Sequence, residues 1–330
     1  MTDPFADFFG EAKATLPKAD AFKLLDAAIP KRSSLPCLQR VKITGEPGYL
    51  TFEGTDLDFA VSVRTGNFLD FEGSTTVVWK DFKAQHSVIP MKDMETYPID
   101  DYPVLPEPDG ESVGTEWIED GLKVLYAVSD KPERGSLQGV YVHTDGVVAT
   151  DGYRLHLVKG THTLDAIVPP KVFKVAKSLG TPTEARAMEH TLHLVYPWGH
   201  LASKLIEGPY PLYKRIIPDI HGRMEAQIPL VTLKDAASKA CEIEKRNPLV
   251  DFRGGTISIS NGTGGLHSFA DALTPPGFEI QFNAKYLLET LATVKGLVTV
   301  SVKAPGAAVL FNPKNAREVR IIMPINPGKK

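Results

Sequence analysis

Residues 147–158 read Val147-Val148-Ala149-Thr150-Asp151-Gly152-Tyr153-Arg154-Leu155-His156-Leu157-Val158. Val147 and Val148 favour a strand, Asp151-Gly152 supplies the positive φ of a hairpin turn, and Tyr153, Leu155 and Leu157 alternate with Arg154 and His156. The pattern predicts strand, tight turn and strand, with one face buried and the other free to act. Related segments stand upstream, Tyr49-Leu50-Thr51-Phe52-Glu53-Gly54-Thr55-Asp56-Leu57-Asp58, and downstream, Leu249-Val250-Asp251-Phe252-Arg253-Gly254-Gly255-Thr256-Ile257-Ser258-Ile259-Ser260. Their spacing of roughly a hundred residues is that of a domain.

Around the three segments one order of elements recurs. In the first unit, residues 19–29 predict a helix, 39–43 and 49–52 a hairpin, 59–64 and 75–78 further strands, and 80–88 a short helix. The run 90–108, rich in Pro and Asp, reads as a linker. The second unit predicts a helix at 121–128, strands at 137–143, 147–150 and 153–158, a helix at 169–179, and strands at 185–188, 191–196 and 200–206. The third predicts helices at 233–243 and 283–293, the latter capped by Asn283, a hairpin through Gly254-Gly255, and strands at 265–272, 278–282, 298–303, 307–311 and 318–325. The expected fold is α+β, in three tandem repeats spanning 1–112, 113–219 and 220–330. That number suits a chain of 330 residues, because single cores stop growing near ~250 residues.

Composition excludes more than it selects. Hydrophobic residues at 42% and charged residues at 23% describe an ordinary globular protein. Cys37 and Cys241 are too few and too far apart for a disulfide framework or a Cys-x-x-Cys metal site. The N-terminus is acidic where a signal peptide is basic, and no apolar run approaches the ~20 residues of a membrane span, so a cytoplasmic protein is the simplest reading. Asp56, Asp145 and Asp151 sit in Thr-Asp or Asp-Gly turns, where local hydrogen bonding accounts for them. The histidines are scattered, and neither a phosphate-binding Gly-x-x-x-x-Gly-Lys-Ser/Thr loop nor a Gly-x-Ser-x-Gly elbow occurs. No catalytic residue, metal or cofactor is expected. The chain reads as a binding scaffold.

The net charge is only −3, yet the basic residues are placed with a rhythm. Lys31 and Arg32, Lys131 and Arg134, and Lys245 and Arg246 follow the first helix of each unit; Lys80 and Lys171 belong to the second helices. Basic residues complement helix C-termini anyway. Repetition in all three units instead predicts one basic surface lined by helices, suited to sequence-independent contact with duplex phosphates.

Ala149-Thr150-Asp151-Gly152-Tyr153-Arg154-Leu155 resembles the Ala-Thr-Asp-Gly-His-Arg-Leu motif of the bacterial beta sliding clamps, the beta subunits of DNA polymerase III. Three further stretches agree, in family order. Arg32-Ser33-Ser34-Leu35-Pro36 with Gly54-Thr55-Asp56-Leu57 resembles the family's first domain. Residues 205–218, Leu205-Ile206-Glu207-Gly208-Pro209-Tyr210-Pro211-Leu212-Tyr213-Lys214-Arg215-Ile216-Ile217-Pro218, resemble the end of its second. Phe282-Asn283-Ala284-Lys285-Tyr286-Leu287 and Ile321-Ile322-Met323-Pro324-Ile325 resemble its third. The resemblance implies three pseudo-symmetric clamp domains with sheets outside and helices inside, closing on oligomerisation into a ring around duplex DNA. It implies a homo-oligomer, dimer or trimer, that tethers a replicative polymerase as a processivity factor. It further implies a peptide pocket between the second and third domains for the short hydrophobic motifs of polymerase and clamp loader. Carried over, its wall is Leu137, Thr150, Gly152, Tyr153, Arg154, Leu155, Pro211, Arg215, Ile216, Tyr286, Ile321, Met323, Pro324 and Ile325.

The chain departs from the family in three places. Residues 88–97 are too few for the strands that follow the second helix of the family's first domain, which include its subunit-closing edge. An apolar pair on the opposing surface is replaced near Cys241, Glu242 and Ile243, and Tyr153 stands where the family has His. These departures leave open a clamp-fold partner-binding regulator or decoy that does not close on DNA.

Overall fold

The computed structural model describes residues 14–263, 265–304 and 306–325. The acidic start and the polar tail 326–330 lie outside the described residues.

The first repeat runs α1 (Lys18–Ala28), β1 (Arg40–Glu46), β2 (Tyr49–Thr55), β3 (Phe59–Gly66), β4 (Gly73–Val78) and α2 (Trp79–Gln85). The second, whose first strand straddles the expected boundary at 112, runs β5 (Glu111–Val113), α3 (Glu116–Val124), β6 (Val140–His143), β7 (Gly146–Thr150), β8 (Arg154–Lys159), β9 (Ala166–Val168), α4 (Pro170–Leu179), β10 (Glu184–Met188), β11 (Thr191–Tyr196) and β12 (Gly199–Lys204). The third runs β13 (Met224–Pro229), α5 (Leu230–Ile243), β14 (Leu249–Arg253), β15 (Thr256–Ser260), β16 (Leu266–Asp271), β17 (Ile280–Asn283), α6 (Ala284–Thr290), β18 (Leu297–Val302), β19 (Val309–Phe311) and β20 (Glu318–Ile322).

The helices form for legible reasons. Leu233, Ala236, Ala237 and Ala240 make one buried stripe on α5, and Asn283 caps α6 by accepting the Lys285 N–H at 2.9 Å. Other expectations needed correction. The helix expected at 121–128 begins earlier, at Glu116, and tightens into a 3-10 turn at Leu125–Ala127. The strand expected from 137 begins at Val140, because Pro132–Gln138 winds as 3-10 helix with Gly135 at a φ of +44° breaking it. β5 and β9, three residues each, carry too little alternation to be read. The basic corners lie beyond the first helices, as expected: α1, α3 and α5 end at Ala28, Val124 and Ile243, and Arg134 falls within the 3-10 segment Pro132–Gln138.

The chain condenses into two compact units, residues 1–115 with 171–205, and residues 116–170 with 206–330. In the first, eight antiparallel strands lie in the order β4-β1-β2-β3-β12-β11-β10-β5. In the second, eight lie in the order β13-β18-β19-β20-β8-β7-β6-β9, and four more in the order β16-β15-β14-β17. The second repeat thus gives four strands to each unit. The joints are β3 with β12 and β8 with β20.

The β3–β12 joint leaves no room at Gly199. Its φ is +150°, and a Cβ there would lie 2.1 Å from the Ser62 carbonyl oxygen across the joint. Gly199→Ala is expected to lower stability by about 1–3 kcal/mol, read as an earlier midpoint in chemical denaturation; an unchanged midpoint would mean that this joint is not so closely packed.

Candidate peptide site and basic corners

The site in the second unit grows from one turn. Thr150 Oγ1 donates to the Arg154 carbonyl at 2.6 Å and accepts the Gly152 N–H at 3.1 Å. Asp151 Oδ1 accepts the N–H groups of Tyr153 and Arg154 at 2.8 and 3.0 Å, and Oδ2 accepts Arg154 Nε at 3.0 Å. Every carboxylate oxygen of Asp151 is thus occupied in shaping the loop. Gly152, at a φ of +86°, permits the turn, and a Cβ on it would strike Arg134 Nη1 at 2.4 Å.

Across the joint, Ile321 faces Leu155 and Ile322 faces Arg154. Past the end of β20 the Met323 N–H donates to the Tyr153 carbonyl at 2.7 Å, so the chain carrying Met323, Pro324 and Ile325 is tied beside the turn. Leu155 and Ile321 are buried together with Val148, Leu157, Leu310 and Tyr213. Tyr213 anchors the 3-10 turn Tyr213–Ile216 on that floor; its hydroxyl meets His143 Nε2 at 2.7 Å. The ring also accepts the Asp145 N–H on Nδ1, and burial pushes its pKa down, so a neutral imidazole donates from Nε2. Burial pushes the Tyr213 phenol up to about 12. The anchored turn carries Arg215 and Ile216, and Pro211 stands just ahead of it, all three exposed. Leu137 is half-buried, its carbonyl accepting the Ser129 N–H at 2.9 Å.

Four side chains form a ladder beside the turn. The Arg134 guanidinium donates to the Asp151 carbonyl and lies 5.2 Å from the centroid of Tyr153. Tyr153 stacks on Tyr286 at 6.3 Å, and the Arg154 guanidinium lies 4.4 Å from Tyr286 on α6. Arg154, buried, also bonds the Glu289 carboxylate and the Tyr126 carbonyl. On this same underside the His156 ring, 3.5 Å from Glu318, and the Arg320 guanidinium together hold the Glu318 carboxyl down at about 2. Tyr153, Leu212, Ile216 and Met323 remain 40% exposed or more on the segments that frame the joint. Firmly held backbone presenting exposed apolar and aromatic groups is the makeup of a docking surface.

The basic residues differ in freedom. Lys31, Arg32, Lys80, Lys131, Lys245 and Arg246 are exposed. Lys171 pairs with Asp56 at 2.7 Å and lies 4.4 Å from the centroid of Phe59. Arg134, read from sequence with the phosphate-facing corners, stands instead in the aromatic ladder. Tyr213 and Glu289 were not singled out from sequence. The spacing of Tyr210 and Tyr213, one helical turn apart in a Pro-rich linker, is the signal that could have found Tyr213; nothing local marks Glu289. Among the described residues, no group of three or more His, Cys, Asp or Glu side chains could hold a metal ion, and no helix is long and apolar enough to cross a membrane.

Glu318 sets a pH dependence. Its folded pKa lies below the ordinary 4.5, so its ionised form adds stability that is present above that value and is lost as pH falls toward about 2. The wild-type chain is therefore expected to lose denaturant resistance across this window more steeply than Glu318→Gln. Equal slopes would show that the carboxylate is not held by His156 and Arg320.

Comparison with known proteins gives one consistent answer. The chain is 23% identical over 380 aligned positions to a beta sliding clamp of Caulobacter vibrioides, covering 96% of this chain and 98% of that one. It is 26% identical over 351 positions to a beta sliding clamp of Vibrio cholerae, covering 89% and 93%. Among solved structures, the DNA polymerase sliding clamp of Caulobacter crescentus superimposes with a TM-score of 0.78 at 22% identity over 93% of this chain and 97% of that one. The Helicobacter pylori beta clamp bound to a DNA ligase peptide gives 0.78 at 16% identity over 93% and 97%. No family model matches the chain. It has the sliding-clamp fold.

Proposed function

We infer that the chain belongs to the beta sliding clamps and works as one: a non-catalytic processivity factor that encircles duplex DNA and tethers a polymerase. Its three repeats, 1–112, 113–219 and 220–330, are its clamp domains. The observation that carries this reading is the β8–β20 joint, where one turn, one anchored linker and one strand end present Tyr153, Ile216 and Met323 together in a chain similar to clamps over nearly its whole length. Polymerase and clamp loader dock there through short hydrophobic motifs, with Leu155 and Ile321 as floor and the Arg134–Tyr153–Tyr286–Arg154 ladder as wall. Lys31, Arg32, Lys80, Lys131, Lys245 and Arg246 meet the phosphates; Lys171 joins them if DNA draws it from Asp56.

Oligomerisation has a structural rationale. β3 and β8 each pair with the last strand of the following repeat, and β16, which holds the same place in its sheet, pairs only with β15 among the described residues. Leu266 and Phe269 stand exposed along it. A second copy that continues the pattern head to tail must offer β16 an edge other than such a last strand, because the first repeat holds no strand between α2 and β5 among the described residues.

A second reading, a clamp-fold regulator or decoy that never closes on DNA, draws on the first repeat. Between α2 and β5 the described residues hold only the 3-10 turn Met91–Asp93 and a single bridge from Thr76 to Tyr97. The 380 aligned positions also exceed the 330 residues of the chain, so the relative carries insertions that this chain lacks.

Met323→Ala removes an exposed side chain and leaves the core intact; it is expected to weaken a hydrophobic clamp-binding peptide by ~1–3 kcal/mol in titration calorimetry, and an unchanged affinity would remove Met323 from the site. Arg32→Ala with Arg246→Ala should flatten the dependence of DNA affinity on salt by ~0.9 logarithmic units per lost phosphate contact. A constant slope would mean that these corners face away from the duplex.

A further inference from the structure

The turn that frames the second unit's joint has a twin in the first unit. Thr55 Oγ1 donates to the Phe59 carbonyl at 3.2 Å and accepts the Leu57 N–H at 2.9 Å. Asp56 Oδ1 accepts the N–H groups of Asp58 and Phe59 at 3.1 and 2.7 Å. Residue for residue, these are the bonds of Thr150, Asp151, Gly152, Tyr153 and Arg154. The correspondence continues beyond the turn: the Lys204 N–H donates to the Asp58 carbonyl at 2.8 Å, as Met323 does to Tyr153. Ala60 faces Ala202 across β3–β12 as Leu155 faces Ile321 across β8–β20. Tyr102 and Leu105 of the linker pack on the two alanines, as Tyr213 packs on Leu155 and Ile321.

Three differences make the twin a cleft of its own. Two alanines stand where the other joint has leucine and isoleucine, and a cleft of about 130 Å³ lies beside them, lined also by Leu57, Val104 and Lys204. This is well below the ~300–1,000 Å³ of a site for a whole small molecule; it holds one side chain of a larger partner. Leu57 occupies the place of Gly152 with a φ of +77°, a conformation costly for any residue with a Cβ. The strained turn sets a half-exposed isobutyl group on the wall, and Val104, 96% exposed, adds an isopropyl group. Lys204, at the rim, is held by Asp58 in a pair whose side chains are 61% and 78% exposed. Such a pair contributes little and exchanges readily for another carboxylate.

We propose that this cleft is a second peptide-docking site, taking a short extended segment of a partner protein that carries one leucine- or methionine-sized side chain next to a carboxylate. The peptide class rests on the reading of the second unit's site; the anchor size and the charge rest on the first unit's residues alone. The small floor selects a single apolar side chain, the Leu57 and Val104 walls cover it, and the Lys204 ammonium takes the neighbouring carboxylate.

The test is methyl NMR on the full-length chain titrated with acetyl-leucyl-aspartyl methylamide. Saturable shifts are expected at Leu57, Ala60, Val104, Leu105 and Ala202. Ala202→Leu, which fills the cleft, should weaken binding there about tenfold or more. Leu57→Gly should do the same without lowering the thermal midpoint, because glycine relaxes the turn; this variant decides the matter if Ala202→Leu folds poorly. The leucyl-asparagine analogue should bind a few-fold more weakly than the aspartyl probe. No saturable shift at these methyls, or shifts that survive both substitutions, overturns the proposal. Shifts confined to Leu155, Ile321 and Met323 overturn it while leaving the second unit's peptide site standing; shifts confined to the first unit support it.

Discussion

Strand pairing between one repeat and the next is the contact on which the rest of the molecule depends. The second repeat by itself would leave the edges of two four-stranded half-sheets open, and an open edge is a row of unmet backbone donors and acceptors. β12 closes against β3 and β20 against β8, so each unit acquires an eight-stranded sheet. The Thr-Asp turn at the end of β2 or β7 is fastened by its own side-chain bonds, which fixes where the following strand starts and hence the register of the joint. Binding surfaces then arise at the joints for a geometric reason. There a turn, a strand end and the linker between repeats meet on one patch of sheet.

Much of this was legible in the sequence because it is local. Thr150-Asp151-Gly152 announces its turn and Asn283 its helix cap, and the bonds of Asp151 to Tyr153 and Arg154 shape the turn its sequence predicts. What failed was local structure decided by distant partners. Residues 132–138 look like the approach to a strand, yet they wind as 3-10 helix over the hairpin. That brings Arg134 onto Tyr153, where a basic corner alone suggested a phosphate contact. The short strands β5 and β9 exist because longer neighbours offer them an edge, which three residues of sequence cannot advertise. The pocket residues follow from the family resemblance alone, and the ladder pairs Arg134 with Tyr153, and Tyr286 with Tyr153 and Arg154, partners too far apart in sequence for a local pattern to join them.

Repetition also shows how one frame is put to different uses. The same backbone bonds hold Gly152 in one joint and Leu57 in the other, and the same register opposes Leu155 to Ile321 or Ala60 to Ala202. Hydrogen bonds keep the geometry constant, and side-chain volume and charge decide what each surface accepts. The third such strand, β16, keeps its outer edge without a ladder among the described residues, and a head-to-tail assembly would give it a partner from the first repeat of a second copy.

The central claim is that this assembly surrounds DNA, and topology tests it more directly than affinity. The chain is mixed with linear duplex biotinylated at both ends, the ends are then blocked with streptavidin, and the salt is raised until phosphate contacts are lost. A closed ring stays on the blocked duplex and leaves when a restriction cut opens an end. Release at the same rate from blocked and open duplex would contradict the account.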